Sequence, residues 1–223
     1  MNFINKDTLI FGSFAKVAGN NGCRMFNSAF KQYNINAIYK SFSINNIQKA
    51  IEAARILDFK GFAVTMPFKK EALNYVDILT DTVSQIGALN TVINTNGILM
   101  AWNTDYTAAQ IFLSKLNLKH LYILGDGGYA AAVKHASETL NISYHIINRS
   151  NWNDINDIKD SVIYNCTPVS DIVIDESNKF IDCLITTDTG KYLSQLQAAY
   201  QFGLYTKNLY DYEEIINTFS KCG

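Results

Sequence analysis

The sequence predicts an α/β protein built from two units. Three observations predict it. Short apolar runs of strand type alternate with helical patterns along most of the chain, which argues for parallel pairing. A strand–glycine turn–helix segment, LYILGDGGYAAAVKHA, opens a second series of such elements in mid-chain. With 223 residues, 48% of them hydrophobic and 17% charged, there is chain enough for one large core or two modest ones. No repeat, low-complexity tract or Pro/Gly-rich linker marks a boundary, so pattern alone places it near Trp102, ahead of the glycine-turn segment.

Taken in order, TLIFG (8–12) is a first buried strand, 23–33 a helix and 35–42 a second strand. Residues 46–57 carry apolar side chains at helical spacing. GFAV (61–64) is a third strand, followed by a helical piece from Lys69 and another over 81–86. TVINTNGILMAW (91–102) reads as a β-hairpin turning at Asn96-Gly97, the dipeptide that best accepts positive φ. A helix over 105–115 leads to the strand, glycine turn and helix of 120–140. Strands follow over 143–150, 161–170 and 179–186, then helices over 192–202 and 210–219.

Composition excludes several functions. A formal net charge of −1 gives no electrostatic footprint for nucleic acid or an anionic membrane. No apolar run approaches bilayer length, and the N-terminus, MNFINKDTLIFGSF, lacks the basic head and long apolar stretch of a secretory signal, so a cytoplasmic location is expected. Cys23, Cys166, Cys183 and Cys222 are scattered without metal-ligand spacing, so no metal is expected and reduced thiols are the reading. His120, His135 and His145 match no motif and read as structural.

Two stretches carry chemistry. In the glycine turn, Gly125, Gly127 and Gly128 allow backbone N–H groups and a helix start to face a pyrophosphate, and Ala130 to Ala132 let the helix approach the sheet. The next strand ends in Asn148-Arg149-Ser150. An acidic residue there would bond an NAD ribose, whereas an arginine favours the 2′-phosphate of NADP. Asp126 dissents, since its charge lies inside the turn. In the second stretch, GFAVTMPFKKEAL, one of only two prolines stands between a buried strand and a lysine pair. Pro67 fixes a corner that delivers Lys69 to a cleft, while Lys70 reads as a solvated charge.

In chain order, AVTMPFK (63–69), Gly87-Ala88-Leu89-Asn90-Thr91, Asn103-Thr104-Asp105, GDGG (125–128), NRS (148–150), Asn165-Cys166-Thr167-Pro168-Val169-Ser170 and the helix from Gln197 to Phe202 resemble a set of family motifs. They are similar to those of the shikimate dehydrogenases, NADP-dependent enzymes that interconvert 3-dehydroshikimate and shikimate. The resemblance covers about residues 26–202 and holds both prolines of the chain. It implies that Lys69 and Asp105 face each other across a cleft and carry the proton transfer that accompanies hydride transfer. It implies that Thr65, Asn90, Asn20 and Gln197 bind a shikimate-like hydroxy acid. Gly125, Gly127, Gly128, Asn148, Arg149, Ser150 and Thr167 would bind NADP. The implied architecture is a substrate domain over 1–102, a compact Rossmann-like NADP-binding domain over 103–190, and C-terminal helices over 191–223 packing back on the first.

The chain also departs from the family. The family's Ser-x-Ser, which grips the substrate carboxylate, is replaced by Asn20 and Gly22, with Ser13 too early to substitute. Charge-assisted bonds are worth about 1.5–3 kcal/mol each, so losing two hydroxyl donors could cost a few kcal/mol. Arg24 or Lys16 are the candidate replacement cations. Ala63 replaces the asparagine of the first motif, Tyr106-Thr107 the glycine after the third, and the region after NRS is short for a full helix and strand. The expectation is therefore an NADP-dependent dehydrogenase with altered substrate grip. The alternative is a ligand-binding or regulatory module that has kept the fold and lost turnover. A folate-linked dehydrogenase is less supported, because the NTD motif does not suggest it.

Overall fold

The computed structural model describes residues 4–222. Contacts divide the chain into two units, one up to Thr104 and again from Ala198, the other from Asp105 to Gln197.

The first unit holds strands β1 (Leu9–Ala15), β2 (Ala37–Ser43), β3 (Gly61–Val64), β4 (Ile78–Leu79), β5 (Thr91–Thr95) and β6 (Ile98–Trp102), in the order β2-β1-β3-β5-β6-β4. β1 runs parallel to both β2 and β3, with Phe11 opposite Tyr39 and Gly61. Helices α1 (Asn21–Gln32) and α2 (Ile47–Ile56) make these two crossovers. α2 buries Ile47, Ala50, Ile51 and Ala54, one face at helical spacing, and Asn46 caps it by accepting from Lys49 N at 2.8 Å. β5 turns the sheet mixed. It runs antiparallel to β3 and to β6, through a turn with positive φ at Asn96 (53°) and Gly97 (88°).

Phe11 and Phe14, three positions apart in an extended strand, face opposite sides of this sheet. Phe14 enters the core of Ile51, Phe59, Phe62, Val64 and Leu99. Phe11 enters a second, aromatic-rich core with Phe26, Phe30 and Tyr39. The second half of α6 (Asp188–Tyr205) and α7 (Tyr212–Ser220) complete that core through Phe202, Ile215 and Phe219.

The second unit is an all-parallel sheet of β7 (His120–Leu124), β8 (Ser143–Ile147), β9 (Val162–Asn165) and β10 (Lys179–Asp182), in the order β10-β9-β7-β8. Helix α4 (Thr104–Ser114) enters it, and α5 (Gly128–Thr139) packs Ala130, Val133 and Ala136 against Leu121 and Ile123. Leu124, Ile147 and Ile163 fill the opposite face.

Two details differ from the sequence reading and one agrees with it. The helical piece expected from Lys69 is a 3₁₀ turn, Glu71–Tyr75, which starts after Lys70. As the short region after Ser150 leads one to expect, it holds no full helix but a 3₁₀ turn, Trp152–Asp157, that buries Ile155. The two-residue β4 carries no periodicity to read, because it pairs only with Met100 and Ala101 of β6.

A surface ion pair ties α2 to the hairpin. Arg55 Nη1 donates to Asp77 Oδ2 at 2.7 Å and also to the Gly97 carbonyl, and Leu99 N donates to Asp77 Oδ2 at 2.6 Å. The bond from Arg55, then that from Leu99 N, holds the Asp77 carboxyl below its usual range. A depressed folded value stabilises above the unfolded value and is lost as pH falls through the folded one. Asp77→Asn is expected to flatten the acid limb of a stability–pH profile below about pH 4. The effect is small, because the side chain is 43% exposed and solvent screens the pair. An unchanged acid limb, read by urea unfolding at several pH values, would count against this role.

Candidate active site

In the first unit, backbone bonds draw Thr65, Lys69 and Asn90 together. Val64 N donates to Asn90 O at 2.8 Å, Leu89 N to Lys69 O at 3.0 Å, and Phe68 N to Thr65 O at 2.9 Å. The corner at Pro67 is pinned by buried Phe68. Lys69 beside it is half-buried and Lys70 is exposed. Asn90 is 3% exposed and already committed: its Nδ2 donates to Thr104 Oγ1 at 3.0 Å, and its Oδ1 accepts from Thr104 N at 2.8 Å and from Thr91 Oγ1 at 3.0 Å. One amide hydrogen is left by this count to offer a ligand. Asn103 Nδ2 bonds the Ala88 carbonyl at 2.9 Å, so the GALNT and NTD motifs are stitched to each other.

Asn20 stands at the start of α1, in the loop after β1, where Lys16 N donates to Met66 O at 3.4 Å. The Asn20 side chain makes no cap bond, and with Cys23 and Arg24 it lines a cavity of about 360 Å³. Arg24 Nη2 donates to Asn21 Oδ1 at 2.7 Å, while Lys16 Nζ is engaged with Asn45 Oδ1 at 2.7 Å. Of the two candidate cations, Arg24 lines this cavity. Behind it, Tyr39 stacks on Phe26 at 4.4 Å, and burial pushes its hydroxyl well above the usual range.

In the second unit, Asp105 is 6% exposed in the first turn of α4, an end of a helix that favours a carboxylate. The glycine turn has Gly125 at φ +102°, and a Cβ there would lie 2.9 Å from Thr167 Cγ2. Only glycine meets both demands. Gly127 opens onto empty space at the start of α5. The exposed Asp126 lies 3.9 Å from Lys134 Nζ, which offsets part of its charge. Thr167 is held by Asn165, whose Oδ1 accepts from Thr167 N at 2.9 Å and Oγ1 at 2.7 Å. Asn148 Oδ1 accepts from Ser150 N and Oγ at 2.9 and 2.7 Å, and Arg149 between them is exposed. Gln197, half-buried on α6, is the last residue of this unit.

Two features escaped the motif reading. Asn165 Nδ2 donates to buried Asp182 Oδ1 at 3.0 Å, and Leu184 N bonds the same oxygen at 3.0 Å. NCTP signals the asparagine, but nothing in KFID signals its partner. Tyr129 and Tyr164 share a hydroxyl–hydroxyl bond of 2.9 Å, and burial raises both phenols well above their usual range.

Fold and site define an α/β protein in which a mixed-sheet unit carrying the Pro67–Lys69 corner precedes a Rossmann-like unit with a glycine turn. Residues 16–92 match the family described as the shikimate dehydrogenase substrate binding domain. The chain is 36% identical over 133 residues to a shikimate dehydrogenase-like protein of Haemophilus influenzae, covering 58% of this chain and 49% of that one. It is 34% identical over 137 residues to the NADP(+) shikimate dehydrogenase of Pyrococcus furiosus, covering 59% and 51%. By these matches the chain spans about half the length of the curated relatives. Among solved structures, a shikimate 5-dehydrogenase-like protein superposes with a TM-score of 0.84 at 25% identity, covering 99% of both chains. The shikimate 5-dehydrogenase of Thermus thermophilus, solved with NADP(H) and shikimate, shares the fold at a TM-score of 0.77 and 19% identity, covering 96% of this chain and 100% of that one. The chain is thus similar to shikimate dehydrogenases and to shikimate dehydrogenase-like proteins. No helix among the described residues is long and apolar enough to cross a membrane.

Proposed function

We propose that this protein is an NADP-dependent oxidoreductase of the shikimate dehydrogenase type, acting on 3-dehydroshikimate and shikimate or a related cyclic hydroxy acid. The observation that carries the reading is the stitched cluster of Thr65, half-buried Lys69 and buried Asn90, in a chain whose other unit holds an open glycine turn. Residues 1–102 with the C-terminal helices are assigned to substrate, and 103–190 to cofactor.

Gly125, Gly127, Gly128, Asn148, Arg149, Ser150 and Thr167 would hold the cofactor. They fit it, since Gly127 leaves empty space at a helix start and Gly125 lets Thr167 approach closely. Bound NADP(H) supplies or accepts the hydride. Reducing a ketone puts negative charge on its oxygen, and the Lys69 ammonium delivers the proton there. Asp105 is assigned the companion carboxylate. Thr65 and Asn90 orient the ring hydroxyls, Asn90 through its remaining amide hydrogen, and Gln197 contributes a further contact. The purified protein should oxidise shikimate or an analogue with NADP⁺ at a rate measurable at 340 nm. Tight ligand binding with complete silence on shikimate, quinate and amino-substituted analogues would support the non-turnover reading instead. The missing serine pair and the commitment of Asn90 to Thr104 favour that second reading.

Arg149 should set cofactor choice. It is exposed at the end of β8, with no acidic residue in its place. NADPH is expected to bind about tenfold or more tightly than NADH, a difference of about 1.4 kcal/mol, and Arg149→Ala should remove that preference. Equal dissociation constants in the wild-type protein would refute it.

Arg24 should set the substrate's carboxylate affinity. With Asn20 and Gly22 where the family has serines, shikimate is expected to show a high KM, and Arg24→Ala to raise it further with kcat little changed, the signature of lost uniform binding. A low-micromolar KM that survives Arg24→Ala would show that neither the serine loss nor Arg24 governs the grip.

A further inference from the structure

We propose that Cys166 and Cys183 form an oxidisable dithiol whose closure to a disulfide alters the glycine turn. The ladder between β9 and β10 ends with Asn165 opposite Asp182. Cys183 N continues it by donating to Asn165 O at 3.2 Å, so the next step of the register sets Cys166 beside Cys183. Neighbouring strands lie about 4.8 Å apart. That falls within the roughly 4.4–6.8 Å between Cα atoms that a disulfide spans. Paired positions in a parallel ladder also share a face. Cys166 follows Tyr164 by two residues and Cys183 follows Ile181 by two, and all four pack in the same apolar cluster. Cys183 Sγ lies 4.0 Å from Thr167 O, which places it over the peptide that follows Cys166. Both thiols are reduced and half-buried, within reach of a small oxidant.

The oxidant is a peroxide. One thiolate sulfur attacks a peroxide oxygen, the O–O bond breaks, and the released hydroxide leaves as water with the thiol's proton. The second sulfur displaces hydroxide from the resulting sulfenic acid; S–O breaks, S–S forms, and a second water leaves with the second thiol's proton. Two electrons pass from the two sulfurs to the peroxide, so two thiols and one peroxide give one disulfide and two waters.

The consequence follows from what Cys166 touches. Its carbonyl carbon and oxygen lie 3.6 and 3.5 Å from where a Gly125 Cβ would stand, and Thr167 Cγ2 lies 2.9 Å from that point. Cys183 lies on the β10 side of β9 and Gly125 on the β7 side, so drawing Cys166 toward Cys183 pulls the Cys166–Thr167 peptide away from Gly125 and opens the close approach that shapes the glycine turn.

Hydrogen peroxide titration of the whole chain tests this. Expected are a mass lower by 2 Da, loss of two reactive thiols, a non-reducing peptide map joining Cys166 to Cys183, and altered hydrogen exchange at residues 125–129, all reversed by dithiothreitol. Cys166→Ser and Cys183→Ser should each abolish the crosslink and the exchange change. A further arm rests on the nucleotide reading above: the oxidised protein should bind NADPH about fivefold or more weakly, a modest coupling, and Cys183→Ser should bind equally before and after peroxide. Crosslinks to Cys23 or Cys222, over-oxidation without a disulfide, or a disulfide that leaves exchange at 125–129 unchanged would overturn the proposal. If neither redox state binds NADPH while the crosslink and exchange change appear, the nucleotide reading fails and the dithiol stands.

Discussion

Lys69→Ala is expected to lower turnover on any active substrate by roughly 10²–10⁴-fold, the usual contribution of a positioned acid or base. Lys70→Ala should leave turnover near wild type. The two lysines are adjacent, so the contrast isolates position from charge. Lys69 is half-buried and its backbone is held by Leu89 N at 3.0 Å, whereas Lys70 is exposed. Asp105→Asn should be damaging to a similar degree. Cofactor affinity should stay near wild type in all three variants, because none is assigned to the glycine turn. Steady-state rates with dissociation constants for NADPH measure both. A Lys69→Ala rate above about a tenth of wild type, a loss of roughly 1.4 kcal/mol or less, would remove Lys69 from the proton-transfer role.

Phe202→Ala is expected to destabilise the first unit by about 3–5 kcal/mol, the usual cost of emptying a buried aromatic site. Phe202 is fully buried on α6, and its ring centroid lies 5.6 Å from Phe30, 5.8 Å from Tyr33, 6.2 Å from Phe26 and 6.1 Å from both Tyr210 and Phe219. Those neighbours belong to α1, its C-terminal end, α7 and the residues just before α7, so one ring joins the two ends of the chain. A void there forfeits contacts on every side, and the surrounding rings are too rigid to close it. Phe202→Leu keeps most of the apolar volume and should recover much of the loss. Urea unfolding followed by tyrosine fluorescence measures the series. A loss below about 1 kcal/mol for Phe202→Ala would mean that the aromatic cluster does not hold α6 in place.

Local pattern determined much of this protein by itself. Helical spacing of Ile47, Ala50, Ile51 and Ala54, the Asn96-Gly97 hairpin, and the strand–glycine turn–helix of 120–140 are all written within a few residues of where they act. The same holds for the Pro67–Lys69 corner and for the Asn165–Thr167 turn, because short-range motifs carry their own hydrogen-bond partners. What tertiary structure alone decided is which distant segments meet. Asp182 becomes the partner of Asn165, and Cys183 the neighbour of Cys166, only because β10 pairs with β9 in one register. Arg24 lines a cavity with Asn20 and Cys23, and Lys16 is engaged by Asn45, a residue 29 positions away. β4 is a strand only by leaning on β6. Periodicity and turn chemistry are properties of neighbours in sequence, whereas register and burial depend on packing between segments far apart in the chain, so no local spacing announces them.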